Sequence, residues 1–153
     1  MTRSRLRPLV ALLCALVLGQ MSGCSSPSGP PSSDCVRETV FSSARPIPGS
    51  TQVIQSFTTP TTGWLHVAVD WVSPETIIRM VLTQAPCSPD QFRVNACNVI
   101  SDQFPPPKPL EVSTTWLRPG NYDLILANFT TAGDIASVKV TLMSTGCPGP
   151  GAQ

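Results

Sequence analysis

The sequence predicts an all-β protein, a single antiparallel β-sandwich of about eight strands. Three observations carry that expectation. From Cys35 onward, short runs rich in Val, Ile, Leu and Thr alternate with turn clusters. Within several runs apolar and polar residues alternate with period two. No segment sustains the i, i+3, i+4, i+7 spacing of an amphipathic helix for more than a turn or two.

The expected strands are Val36–Phe41, Gln52–Phe57, Trp64–Trp71, Ile77–Thr83, part of Phe92–Ile100, Leu110–Trp116, Tyr122–Phe129 and Ile135–Met143. Each is bounded by turn-forming residues: Pro46-Ile47-Pro48-Gly49, Thr59-Pro60-Thr61-Thr62-Gly63, Ser73-Pro74-Glu75, Ser88-Pro89-Asp90, the proline run ending at Pro109, Pro119-Gly120-Asn121 and Ala132-Gly133-Asp134. Alternation assigns Leu65, Val67, Val69 and Trp71 to the core, with Trp64, His66, Ala68 and Asp70 on the other face. Ile78, Met80 and Leu82 face inward by the same rule, as do Tyr122, Leu124 and Leu126, and Val138, Val140 and Leu142. The regular spacing of strands and turns favours a sandwich.

Ahead of this domain lies a different kind of sequence. Arg3, Arg5 and Arg7 precede the apolar run Leu9–Leu18, which has the anatomy of a secretory signal and falls short of the roughly 20 apolar residues of a comfortable membrane span. The run closes on Met21-Ser22-Gly23-Cys24. This stretch resembles the processing site of bacterial lipoproteins, and the resemblance implies that Cys24 is acylated and becomes the new N-terminus. Membrane lipid would then be a partner through acylated Cys24. Two or more acyl chains give stable anchoring, at about 0.8 kcal/mol per buried methylene. The alternative is an ordinary cleaved signal with Cys24 left as a thiol. The expected divisions are residues 1–23 as signal, 24–34 as the lipidated Cys and a linker, 35–147 as the sandwich and 148–153 as a tail. Ser25–Ser33 has no apolar side chain to bury, and as polyproline II its reach is roughly 25 Å. By the sorting tendency of the same family, Ser25 after the lipidated Cys points to the outer membrane of a cell that has one, and hence to a cell-envelope location.

Composition narrows the partners. Three of the ten basic residues lie in the signal, while all nine acidic residues lie beyond it. The remaining cations, Arg37, Arg45, Arg79, Arg93, Lys108, Arg118 and Lys139, are scattered among carboxylates, so nucleic acid is not an expected partner. The exported chain retains Cys35, Cys87, Cys97 and Cys147, an even number that reads as two disulfides with three pairings open. The favoured pairing joins Cys87 to Cys97 around a short loop, and Cys35 to Cys147 across the first and last strands. No metal is expected, because no CxxC occurs and the one histidine, His66, is distant in sequence from every cysteine.

The segment from Thr58 to Met143 resembles the bacterial pre-peptidase C-terminal domain. Phe57-Thr58 followed by Gly63-Trp64-Leu65 carries the likeness, with Leu117-Arg118-Pro119-Gly120-Asn121-Tyr122-Asp123-Leu124 paralleling that family's Pro-Gly-Thr-Tyr turn and strand. The resemblance implies a jelly-roll-like sandwich. It also raises Asp70, Glu75 and Asp134 as calcium ligands, since some members bind that ion near strand ends. Against calcium stands Glu75-Thr76-Ile77-Ile78-Arg79, with one carboxylate and a nearby cation where closely spaced aspartates are usual; no EF-hand loop occurs.

No catalytic constellation emerges. His66 and Asp70 share a strand face about 13 Å apart, too far for the carboxylate to orient the imidazole, and no Gly-x-Ser-x-Gly elbow is present. Trp64, on the face opposite Leu65, and Phe104, beside the proline run, are the candidate ligand contacts, as a stacking platform. For Trp64 the alternative is burial beneath edge loops. The loop Gln103–Pro109 is either a protein-contact site or a stiff crossover. The sequence therefore leads to a non-catalytic, lipid-anchored envelope binding or assembly module for a protein or a glycan, without a cofactor. A hydrolase with a loop-built site and a structural subunit of an envelope complex are the competing readings.

Overall fold

The computed structural model describes residues 35–104 and 107–149; Cys24, the signal and the linker lie outside them. Eight strands form two antiparallel sheets: β1 (Arg37–Ile47), β2 (Gln52–Thr59), β3 (Trp64–Trp71), β4 (Ile78–Gln84), β5 (Val99–Gln103), β6 (Leu110–Ser113), β7 (Gly120–Asn128) and β8 (Asp134–Met143). One sheet has the order β1-β8-β3-β6 and the other β2-β7-β4-β5. The chain crosses between sheets at every connection except β4 to β5. This is the eight-stranded jelly roll.

The alternating residues singled out in the sequence form the core. Leu65, Val67 and Val69 of β3 and Val138, Val140 and Leu142 of β8 face Met80 and Leu82 of β4 and Leu124 and Leu126 of β7. Phe57 closes one flank, lying against Phe41 and Tyr122 with ring centroids 6.0 and 5.9 Å away. The Tyr122 hydroxyl, which must find an acceptor when its ring is buried, donates to Arg118 O.

Three elements depart from expectation. β1 runs on through Pro46 to Ile47, where a turn was expected. It is a sheet-edge strand, so the proline's missing N–H costs no ladder bond. Phe92 lies in a short helix, α1 (Pro89–Arg93), and not in a strand. The Ser88 hydroxyl accepts from Gln91 N while Ser88 N donates to the Gln91 side chain, a complete capping box. β6 ends at Ser113, because the Thr114 hydroxyl turns back to accept from Leu65 N and so ends the regular ladder.

The 85–98 segment carrying α1 folds over the outer face of the β2-β7-β4-β5 sheet. There Cys87, Cys97 and Phe92 pack with Val81, Ile125 and Ile54 in a second, smaller apolar cluster. Asp123, buried on that face, accepts from Cys87 N and from the Ser56 hydroxyl. Both disulfides join the pairs favoured from sequence, Cys35–Cys147 and Cys87–Cys97.

These two bonds close loops of different lengths, with sequence separations of 112 and 10. By chain entropy they stabilise by nearly 5 and about 3 kcal/mol. Cys147→Ser should accordingly lower the melting temperature more than Cys97→Ser does. Peptide mapping of the non-reduced protein checks the pairing, and a peptide joining Cys35 to Cys87 or Cys97 contradicts it.

Candidate binding surface

Strand direction gives the sandwich two unlike ends. Cys35, the start of β1 and the end of β8 lie at one, which we call proximal. The connections β1–β2, β3–β4, β5–β6 and β7–β8 lie at the other, distal end. Five large apolar side chains are exposed around the distal end: Val72, Ile77, Phe104, Phe129 and Ile135.

Three of them share the outer face of the β2-β7-β4-β5 sheet. Phe129 follows β7 directly, and its N–H donates to Ile77 O beside β4. Phe104 follows β5, and its ring centroid stands 4.9 Å from that of Phe129. Phe104 is 54% exposed and Phe129 is 55% exposed. The Cys87–Cys97 segment covers this face as far as the central row of Ile54, Ile125 and Val81; beyond that row, toward Phe129, the face is open. At that boundary runs a groove of about 660 Å³, walled by Phe92 and Arg93 of α1 on one side and by Ser50, Thr51, Gln52 and Phe129 on the other.

Backbone contacts hold this end rigidly. Ser50, at a positive φ of 53°, donates from its N–H to Thr130 O. Gly49 passes so close to the neighbouring loop that a Cβ there would lie 1.9 Å from Thr131 O, which no side chain tolerates. The buried Asn128 amide donates to Ile47 O and Ala132 O and accepts from Thr130 N. Asp134 ties the β3–β4 connection to β8: its carboxylate accepts from the N–H groups of Val72, Ser73 and Ile135. Burial pushes the Asp134 carboxyl up, but the Thr76 side chain and these three backbone donors outweigh it and leave its pKa below the usual carboxylate value. Across the same end, Lys108 donates to Val72 O and places its ammonium 5.9 Å from the Trp71 ring centre. On the open face Arg79 is paired with Asp102, whose carboxyl is held low by the hydrogen bond from that guanidinium, and stacks 5.5 Å over the Phe92 ring.

Of the two candidate contacts, Phe104 is exposed and Trp64 is not. Trp64 is 8% exposed, which corrects its reading as a stacking platform. It pairs with Met143 of β8 on one side. On the other, residues 114–117 return alongside through the mutual bonds of Gly63 and Leu117. Phe129 and Phe92 were not singled out in the sequence; Phe129 meets Phe104 through strand register, and Phe92 reaches this face on the folded-back segment. His66 Nδ1 lies 3.4 Å from Ser113 Oγ on the outer face of the other sheet. Glu111 sits one register row further along, opposite Ala68. Asp70 has turned to its own chain and accepts from Trp71 N. The Asp134 oxygens are taken by backbone donors, and no three His, Cys, Asp or Glu residues gather as metal ligands among the described residues.

The fold and this end define a disulfide-stapled jelly-roll domain with an open aromatic face. No family model matches the chain, and no curated protein matches it. Among solved structures, it is similar to the pre-peptidase C-terminal domain of a collagenase from Bacillus anthracis, at 12% identity and a TM-score of 0.51, over 67% of this chain and 89% of that one. It is also similar to the Yersinia pseudotuberculosis-derived mitogen, at 15% identity and a TM-score of 0.50, over 71% of this chain and 97% of the other. At such identities the likeness is one of fold. It agrees with the β-sandwich that the Pro-Gly-Asn-Tyr turn and its strand led us to expect.

The depressed Asp134 pKa makes a pH-dependent prediction. A carboxyl whose pKa is lower folded than unfolded contributes stability above its unfolded value of about 3.9, and that contribution is lost as pH falls through the folded value. Asp134→Ala should cost about 2 kcal/mol near neutrality, where it strands three backbone donors. The gap between the melting temperatures of variant and wild type should begin to narrow below about pH 4 and go on narrowing as pH falls through the lower folded value.

Proposed function

We propose that the protein is a non-catalytic binding module of the bacterial cell envelope, anchored by lipid at Cys24 and engaging an envelope component, protein or glycan, through its distal end. The observation that carries this reading is the polarity of the domain. The chain from Cys24 joins at Cys35, and at the opposite end three exposed apolar side chains, Ile77, Phe104 and Phe129, share the outer face of one sheet. Along β1, eleven residues separate the two ends by roughly 35 Å. An anchor joined to one end leaves the other free to meet a partner. Among the described residues His66 has a serine beside it and no carboxylate bonded to it, and so no orienting group of a hydrolytic triad there.

Two experiments test the reading in its separate parts. Cys24→Ala should release the protein from membranes and abolish labelled palmitate incorporation, and wild-type protein found soluble and unlabelled overturns the anchor. Independently, detergent-solubilised full-length protein should sediment with isolated envelopes. Phe104→Ser and Phe129→Ser should each reduce that retention about tenfold. Retention indifferent to both substitutions overturns the distal end as the contact surface.

A further inference from the structure

We infer that the groove between α1 and Phe129 is a saccharide-binding site, with Phe129 as its stacking platform, Phe92 as its far wall and Gln52 as its principal hydrogen-bonding group. The inference rests on the binding-module reading above and names the class of ligand. A pyranose ring has apolar C–H faces and a rim of hydroxyls, each both donor and acceptor. The groove matches both. The Phe92 and Phe129 rings flank an apolar floor at Ala127, and Phe104 extends the aromatic surface beyond it. The Gln52 side-chain amide, a donor and an acceptor together, has no hydrogen-bond partner among the described residues. Thr51 donates its hydroxyl proton to Pro48 O, which leaves its oxygen free to accept.

Charge and size narrow the ligand. Arg93 is the one charged residue in the lining, and Asp90 stands 3.5 Å from its guanidinium at the exposed end of α1. That pairing leaves no concentrated positive field of the kind a phosphate or nucleotide requires. At about 660 Å³ the groove is within the size range of small-molecule and sugar-ring sites. Both walls are built before any ligand arrives. The Cys87–Cys97 bond fixes one; the Asn128 and Gly49 contacts fix the other. Arg79, bonded to Asp102 and stacked on Phe92, holds that ring at the groove's edge.

The test is affinity electrophoresis of the detergent-solubilised full-length protein in native gels, each containing one soluble polysaccharide: a β-1,3-glucan, a mixed-linkage β-glucan, a xylan, an α-glucan, or muramidase-solubilised peptidoglycan. At least one should retard the wild type. Phe129→Ala and Gln52→Ala should each weaken that retardation about tenfold, while Trp116→Ala, an exposed aromatic at the proximal end, leaves it unchanged. Thermal melts of each variant separate lost binding from lost folding. Absence of retardation in every gel, or retardation indifferent to both groove substitutions, overturns the inference. Should envelopes still retain the protein through Phe129, and protease treatment of those envelopes abolish the retention, the binding-module reading stands and the saccharide falls. Failure of both envelope retention and retardation removes both.

Discussion

The pairing of β1 with β8 is the constraint on which the rest of the molecule depends. Ten register pairs, from Arg37 opposite Met143 to Ile47 opposite Asp134, place the first and last strands side by side in one sheet, with a single irregularity between Thr39 and Phe41. Cys35–Cys147 locks that pairing just beyond its end. Once both chain ends are fixed at the proximal side, four of the inter-strand connections are left to the distal side. These carry, or adjoin, five of the large apolar side chains that stay exposed.

The second constraint is unequal coverage of the β2-β7-β4-β5 sheet. Its outer face is apolar along much of its length, with Ile54, Ile125 and Val81 in one central row and Ile77 and Phe129 at the distal end. A sandwich buries only the inner faces of its sheets, so an apolar outer face needs a separate cover. The Cys87–Cys97 segment supplies it as far as the central row, fastened by the disulfide, by the Asp123 carboxylate and by the Arg79–Phe92 stack. The segment stops at Arg93 and Val94, short of Phe129. The groove is the boundary where cover ends and open aromatic surface begins.

What the sequence made legible follows from the range of each signal. Alternation along β3, β7 and β8 is local and strong, and it placed Leu65, Leu124 and Val138 in the core. The cysteines were legible because loop length and position at the edges of the predicted sandwich point to one pairing. Pro46 was misleading: a proline reads as a turn unless the strand is known to be an edge. The apolar residues between Phe92 and Ile100 read as strand although Ser88 and Gln91 already spelled a capping box; hydrophobicity outweighed the shorter-range cap. Trp64 shows the limit of alternation, which assigns a face but not what lies over it. Phe129 was invisible as a site residue because its meaning comes from Phe104 and Ile77, distant along the chain and joined to it only through strand register.

Rigidity at the distal end gives the open surface its value. An exposed phenyl ring on a mobile loop must lose conformational entropy on binding, at about 0.5–1.5 kcal/mol for each side chain immobilised and more for the backbone. Here much of that ordering is already done by folding: Phe129 is clamped between Ile77 O and the Asn128 network, and the 48–51 and 129–133 connections interlock at Gly49 and Ser50. The Asp134 carboxylate does the same for the 72–76 connection. Buried polar groups, placed where an all-apolar design would put leucine or valine, thus hold the loops that frame the aromatic face. The sandwich supplies the bulk of the stability, and these few hydrogen bonds decide which shape its distal end presents.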